Sequence, residues 1–303
     1  GILCGAMAKV LAARGVRVGI LGRTPEKNRA MVDAIEAAGG HALGLVADVL
    51  RQSDLERARQ IVLEQWGRID ILINGAGGNI PGAAIPPGQN FFDDHPFANY
   101  QRVVELNLDG TVLPTMIFGQ VMARQQSGSI INISSMTAQQ AVTRVPGYST
   151  AKAAVDAFTR WLAVEAALKF GPGIRVNAIC PGSVGGPRMD GVIEREAAAR
   201  GVSPASVRLG YEQQVSMQSF IEATDIGEMV VFLASPAARF VSGQVISVDG
   251  HTETLSTRGA SAERDPSETS SARTGGLPAV LGADSGPQQG TESATDASPS
   301  GET

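Results

Sequence analysis

Tyr148 and Lys152 stand four residues apart in YSTAK, a spacing that puts both on one face of a helix. A phenol ionises near pH ~10 and a neighbouring ammonium favours the phenolate, so Lys152 would make Tyr148 usable as an acid or base near neutrality. Ser135 can hydrogen-bond the oxygen of an alcohol or carbonyl, and Asn107, in ELNLDG, can anchor a water that carries the proton on to solvent. These four residue types suit a proton that moves together with a hydride.

The elements that must position them alternate between strand-like and helix-like segments. VRVGIL leads through Thr24-Pro25, an N-cap and first-turn pair, into a helix ending at Gly39-Gly40. HALGLVAD is a strand, Ser53 starts a helix that stops at Gly67, and IDILIN is a strand. A Gly/Pro-rich loop over 75–90 precedes a long helical stretch, the strand GSIINIS, a helix from Pro146 to Phe170 and the strand GIRVNAI. Continuous apolar strands between helices imply a parallel α/β sheet covered on both faces. Ligands of such sheets lie beyond the carboxyl ends of the strands, so the loops GRT, DV, NGAGG, SSMT and CPGS should ring one crevice. Small, polar and glycine-rich loops at all five places suit a flat, phosphorylated ligand. At the start of the chain, Gly1 and Gly5 fit either a backbone cradle for phosphate at a helix N-terminus or a tightly packed helix start.

Composition narrows the classes. The 303 residues are 43% hydrophobic and 5% aromatic, enough for one or two domains with a sizeable core. A net charge of -5 with no basic stripe argues against nucleic acid or an anionic membrane as partner. No apolar run approaches the roughly 20 residues of a membrane span. Cys4 and Cys180 lack metal-ligand spacing and follow no secretory signal, so reduced thiols and a cytoplasmic setting are expected; with His41, His95 and His251 scattered, no metal site is expected.

Beyond these arguments, residues 1–255 resemble the short-chain dehydrogenase/reductase family. The resemblance rests on NGAGG (74–78), Asn107, Ser135 thirteen residues before Tyr148, YSTAK, RVNAICPG (175–182) and SGQVISVDG (242–250). It implies a single Rossmann-like, doubly wound domain with a seven-stranded parallel sheet, a nicotinamide cofactor, and a homotetramer or homodimer. It also implies a first strand and Thr-Gly turn ahead of Gly1 that are not in this sequence, which would leave two neighbouring strands with unpaired backbone groups. By the same resemblance Asn107, Ser135, Tyr148 and Lys152 are the catalytic set. Gly1 and Leu3 of the turn, with Cys4 where the family has a glycine, would face the pyrophosphate. Asp48 and Val49 would contact the adenine, Asn74 and Ala76 the riboses, Lys152 the nicotinamide ribose, and Pro181-Gly182 the nicotinamide face, with Gly77 and Tyr148 also binding the cofactor. At the end of the second family strand stand Gly22 and Arg23 rather than an acid; an arginine fork can take the extra phosphate of NADP, so NADP is preferred to NAD.

The substrate is a small alcohol or ketone. NGAGGN, FFDDHPF and LNLDGTVLPT resemble the D-mannonate oxidoreductases (fructuronate reductases) of that family, which implies a sugar acid. The segment GSVGGPRMDGVIEREAAARG does not, and Met189 and Val192 there suit an acyl or other apolar ketone equally; Arg188 is either a carboxylate ligand or a solvated helix-start residue. A non-catalytic dinucleotide-binding module is the alternative of another class. The 48 residues from Ser256 contain no Phe, Tyr, Trp, Ile, Met or Cys and are expected to be a disordered tail.

Overall fold

In the computed structural model, residues 1–86, 89–94, 96–140 and 144–252 are described; His95 and the tail assigned from Ser256 lie outside them. The chain runs α1 (Ile2–Ala13), β1 (Arg17–Gly22), α2 (Pro25–Ala37), β2 (His41–Val46), α3 (Gln52–Trp66) and β3 (Ile71–Asn74). It continues through α4 (Phe91–Asp94), α5 (Phe97–Val104), a π-helical turn (Glu105–Asp109), α6 (Gly110–Gln125), β4 (Gly128–Ile133) and α7 (Pro146–Phe170). Then follow β5 (Ile174–Pro181), α8 (Pro187–Arg200), α9 (Pro204–Glu212), α10 (Ala223–Ala234) and β6 (Val245–Val248).

Local chemistry sets many of these boundaries. Gly15 and Gly67 take positive φ where α1 and α3 stop, a conformation that costs glycine nothing. Pro25 and Pro146 each open a helix in its first turn, where a missing amide hydrogen is no loss. Thr24 occupies the N-cap of α2 without a side-chain cap hydrogen bond, unlike the expectation, because the Asn28 amide ties this corner by donating to Gly22 O at 3.0 Å and Leu45 O at 2.9 Å.

All strand pairs are parallel, but they form two sheets rather than one: β1-β2, and β3-β4-β5-β6. The seven-stranded sheet implied by the resemblance is therefore six strands among the described residues, interrupted between β1 and β3. The edges of β1 and β3 that lack a strand partner line a common cleft of about 730 Å³, roofed by Met7 and Leu11 of α1 and by Phe118 of α6. Gly5 of α1 serves packing: a Cβ there would meet Met31 Cε of α2 at 2.8 Å.

Two cores sandwich the larger sheet. Leu55, Val62, Phe118, Met122, Ile130 and Val176 fill one face. Met7, Ile131, Ile179, Ile226, Val230 and Leu233 fill the other. Burying each such side chain contributes about 1.5–3 kcal/mol, enough to fix the carboxyl ends of β4 and β5 where the polar residues gather.

Candidate active site

β4 delivers Ser134 and Ser135 just past its last residue, and α7 lies beside it with Tyr148 and Lys152 on its inner face. Ser135 is extended at φ -164° and caps a short 3-10 turn, its Oγ accepting from Thr137 N at 3.2 Å. The Tyr148 side chain hydrogen-bonds to Ser135. One turn on, Lys152 is buried, its Nζ 5.7 Å from the Tyr148 ring centroid and donating to Ile133 O at 2.7 Å.

Asn107 reaches the same place through the π-helical turn, a widening that lets one residue point inward out of helical register. Pro114, inside α6, has no amide to return to the Gly110 carbonyl, so the backbone pattern is already broken one turn ahead of it. Asn107 is fully buried; Nδ2 donates to Gly78 O and Val103 O, both at 2.8 Å, and Oδ1 accepts from Gly78 N at 2.9 Å. Three of its four side-chain hydrogen-bonding positions are thus taken, and one lone pair is left for a water. Gly77, at φ +143°, passes so close that a Cβ would strike Asn107 Oδ1 and stand 3.3 Å from Lys152 Nζ. Gly77 is needed because the loop passes between these two groups there.

Electrostatics departs from the expectation in one respect. Burial holds the Tyr148 phenol above its ordinary value, while the Ser135 hydrogen bond and the positive charge of Arg188 pull it down. The Lys152 ammonium is turned to the Ile133 carbonyl instead of the phenol. Burial in turn draws Lys152 down to about 8, opposed first by the charge of Asp156.

The remaining predicted residues ring the carboxyl ends, in three different circumstances. Gly1, Ala76 and Arg23 border the cleft, with Val49 beside them. Arg23 is exposed, its Nη1 3.8 Å from Asp48 Oδ2, and Asp48 Oδ1 accepts from Leu50 N at 3.1 Å. Pro181 ends β5; Gly182 N donates to Val248 O at 2.9 Å, and a Cβ at Gly182 would meet Asp249 Cα at 2.7 Å. Two assignments are narrowed to the main chain. The Asn74 side chain turns inward, donating to Thr115 Oγ1 and Asn132 Oδ1, both at 2.8 Å, so only its main chain can face a ribose. Leu3 packs its side chain on the second core, leaving its amide alone to meet a phosphate.

Whether these residues fit a dinucleotide can be judged on the loops. Glycines at 75, 77, 78 and 182 bring bare backbone to the crevice, and the first amides of α1 have no intrahelical acceptor. With Arg23 exposed at the far end, the set fits a nicotinamide dinucleotide.

Comparison with known proteins agrees. The family model described as enoyl-(acyl carrier protein) reductase matches residues 3–251. The chain is 46% identical over 190 residues to the uncharacterized oxidoreductase UxuB of Bacillus subtilis (strain 168), covering 60% of this chain and 67% of that protein. Among solved structures it is similar to one from Haemophilus influenzae provisionally described as a D-mannonate oxidoreductase with bound NAD, at a TM-score of 0.73 and 32% identity over 82% of this chain and 90% of that one. An actinorhodin polyketide ketoreductase variant with NADPH gives a TM-score of 0.72 and 30% identity over 82% and 92%. The chain belongs to the short-chain dehydrogenase/reductase family and is an NAD(P)-dependent oxidoreductase.

Sequence reasoning missed Asp156, Ser134 and Gln139, which sit directly behind the reacting groups; Ser134 Oγ donates to Lys152 O at 3.4 Å. Asp156 follows Lys152 by one helical turn, and that spacing was the available signal.

Proposed function

We propose that this oxidoreductase interconverts a secondary alcohol and a ketone on a sugar acid of the mannonate/fructuronate type, with NADP preferred to NAD. The observation that carries this is the Tyr148 hydroxyl, hydrogen-bonded to Ser135 and within reach of the Arg188 charge. A carboxylate-bearing substrate suits that cation, and the D-mannonate description of the Haemophilus influenzae structure points the same way. An acyl or other apolar ketone would need free apolar side chains over the site. Met189 instead packs on the cluster of Ile193, Ala197 and Val207.

A bound nicotinamide supplies the chemistry of hydride transfer. Tyr148 gives its proton to the carbonyl oxygen in reduction and takes it back in oxidation, while Ser135 holds that oxygen by a hydrogen bond. Lys152 keeps a positive charge beneath the phenol while it donates to Ile133 O. Asn107 clamps Gly78 and so fixes the loop that borders the cofactor. An exposed apolar stripe on α7, Trp161, Val164 and Leu168, supports assembly as a homodimer or homotetramer. Two free cysteines suit a reducing cytoplasm.

The test is NADPH oxidation with fructuronate beside an acyl ketone, in the wild type and in Tyr148→Phe. Turnover with the sugar acid is expected, falling about 10²–10⁴-fold in the variant while cofactor affinity stays within about twofold. Reduction of the acyl ketone alone would overturn the substrate, and an active Tyr148→Phe would overturn the proton donor.

A further inference from the structure

Among the described residues only two charged side chains are buried, Lys152 and Asp156, each 3% exposed. They lie four apart on the inner face of α7. Lys152 is accounted for by the proton chemistry; Asp156 is not. Ser134 and Gln139 present hydrogen-bonding groups to its carboxyl, and its Oδ1 has no hydrogen-bond partner among the described residues. A carboxyl kept out of water in this way is unfavourable unless a positive charge lies near it.

We propose that Asp156 is a positioning residue for Lys152: its buried carboxylate, one helical turn along the inner face of α7, is the counter-charge that keeps the ammonium in the site. The neighbouring groups leave it that role. The Cys180 thiol is pushed up to about 11 by burial and carries no charge near neutrality. Cys4, from α1, is likewise raised by desolvation. Tyr148 is a neutral phenol there, for the same reason. Arg160, one turn further along α7, faces Asp156 and, after Ser134, pulls against the burial that raises the carboxyl. Lys152 and Asp156 therefore favour each other's charged form, with Arg160 acting on Asp156 in the same direction.

The proposal rests on the oxidoreductase reading of this site, but its test needs no substrate. Trace acetylation of the whole protein with acetic anhydride at a series of pH values, read by mass spectrometry on the peptide containing Lys152, gives the titration midpoint of that amine. Asp156→Asn is expected to lower the midpoint by about one pH unit, a tenfold change, and Asp156→Glu to leave it near the wild type. Equal midpoints for Asp156→Asn and wild type, with equal melting curves, would overturn the proposal, as would an Asp156→Glu midpoint displaced as far as that of Asp156→Asn. If Asp156→Asn does not fold, carbon-detected NMR of aspartate-labelled wild type decides. The Asp156 carboxyl signal should show a second inflection at the lysine midpoint, and its absence would overturn the pairing. Failure of every substrate with an intact Lys152 response would count against the sugar-acid reading and not against this one.

Discussion

β4 is buried along its whole length and β5 at all but one position, whereas β1 and β2 are mostly exposed or half-buried. The segments are similar in sequence: RVGILG and IRVNAICP both mix Val, Ile and small residues. What differs is what lies beside them. β4 and β5 each have a parallel strand on both edges and a core on both faces; β1 pairs with β2 alone and turns its other edge to the cleft. The proton-handling residues stand on the doubly supported side. Arg23 and Asp48, assigned to the far end of the cofactor, stand on the side whose order depends on a single pairing and on whatever enters the cleft.

Amide exchange would break or sharpen this contrast most directly. Amides in the β4-β5 ladder, paired from Gly128↔Ile174 to Ile133↔Ile179, should exchange about a thousandfold more slowly than those of β1. Equal protection on the two sides would mean that the cleft edge is as firmly held as the interior, and the contrast would fail. If it holds, adding dinucleotide should slow β1 far more than β4.

Buried asparagines offer a second comparison, smaller in size. On the supported side Asn132 accepts from Asn74 and donates to Thr159 Oγ1 at 2.8 Å, so Asn132→Leu strands two buried partners. A loss of about 2–4 kcal/mol in denaturant unfolding is expected. Asn28 bridges only main-chain carbonyls at the ends of β1 and β2, and Asn28→Leu should cost about 1–2 kcal/mol. Reversed magnitudes would place the weak half elsewhere.

Two glycines repeat the contrast on the scale of one methyl group. Gly77→Ala meets the Asn107 amide oxygen in a backbone conformation that favours glycine, and turnover should fall at least about tenfold as the Asn107–Gly78 clamp opens. Gly5→Ala meets only the flexible end of Met31 and gains helix propensity, so its melting temperature should move by no more than the few degrees that correspond to about 1 kcal/mol. A severe Gly5→Ala would mean that α1 and α2 cannot shift apart.

What could be read in advance follows from how local the signals are. α7 begins at Pro146 and ends at Phe170 as expected, because proline in the first turn and Gly171 after the last are boundary marks carried by the residues themselves. The five loops at the strand ends were legible for the same reason. The π-helical turn at Asn107 was not, since no residue type marks an extra residue in a helical turn. Nor was the inward Asn74, whose direction is set by Thr115 and Asn132, distant in sequence and adjacent only once β3 and β4 pair. The break between β1 and β3 had a signal only through the family resemblance, which implied two neighbouring strands with unpaired backbone groups.

The smallest effect concerns Arg23, and it bears on the exposed side alone. Its 3.8 Å contact with Asp48 is a surface pair in high dielectric, worth roughly 1 kcal/mol or less, so the guanidinium can leave it for a phosphate with little loss. Arg23→Ala should therefore leave unfolding free energy within about 0.5 kcal/mol of wild type while weakening NADPH about five- to tenfold and NADH hardly at all, measured by fluorescence titration. Asp48→Asn, which frees the arginine, should shift the same ratio toward NADPH. Should both cofactors weaken equally in Arg23→Ala, the arginine would be ordering the β1 corner instead of choosing a phosphate, and the proposed preference for NADP would lose its support.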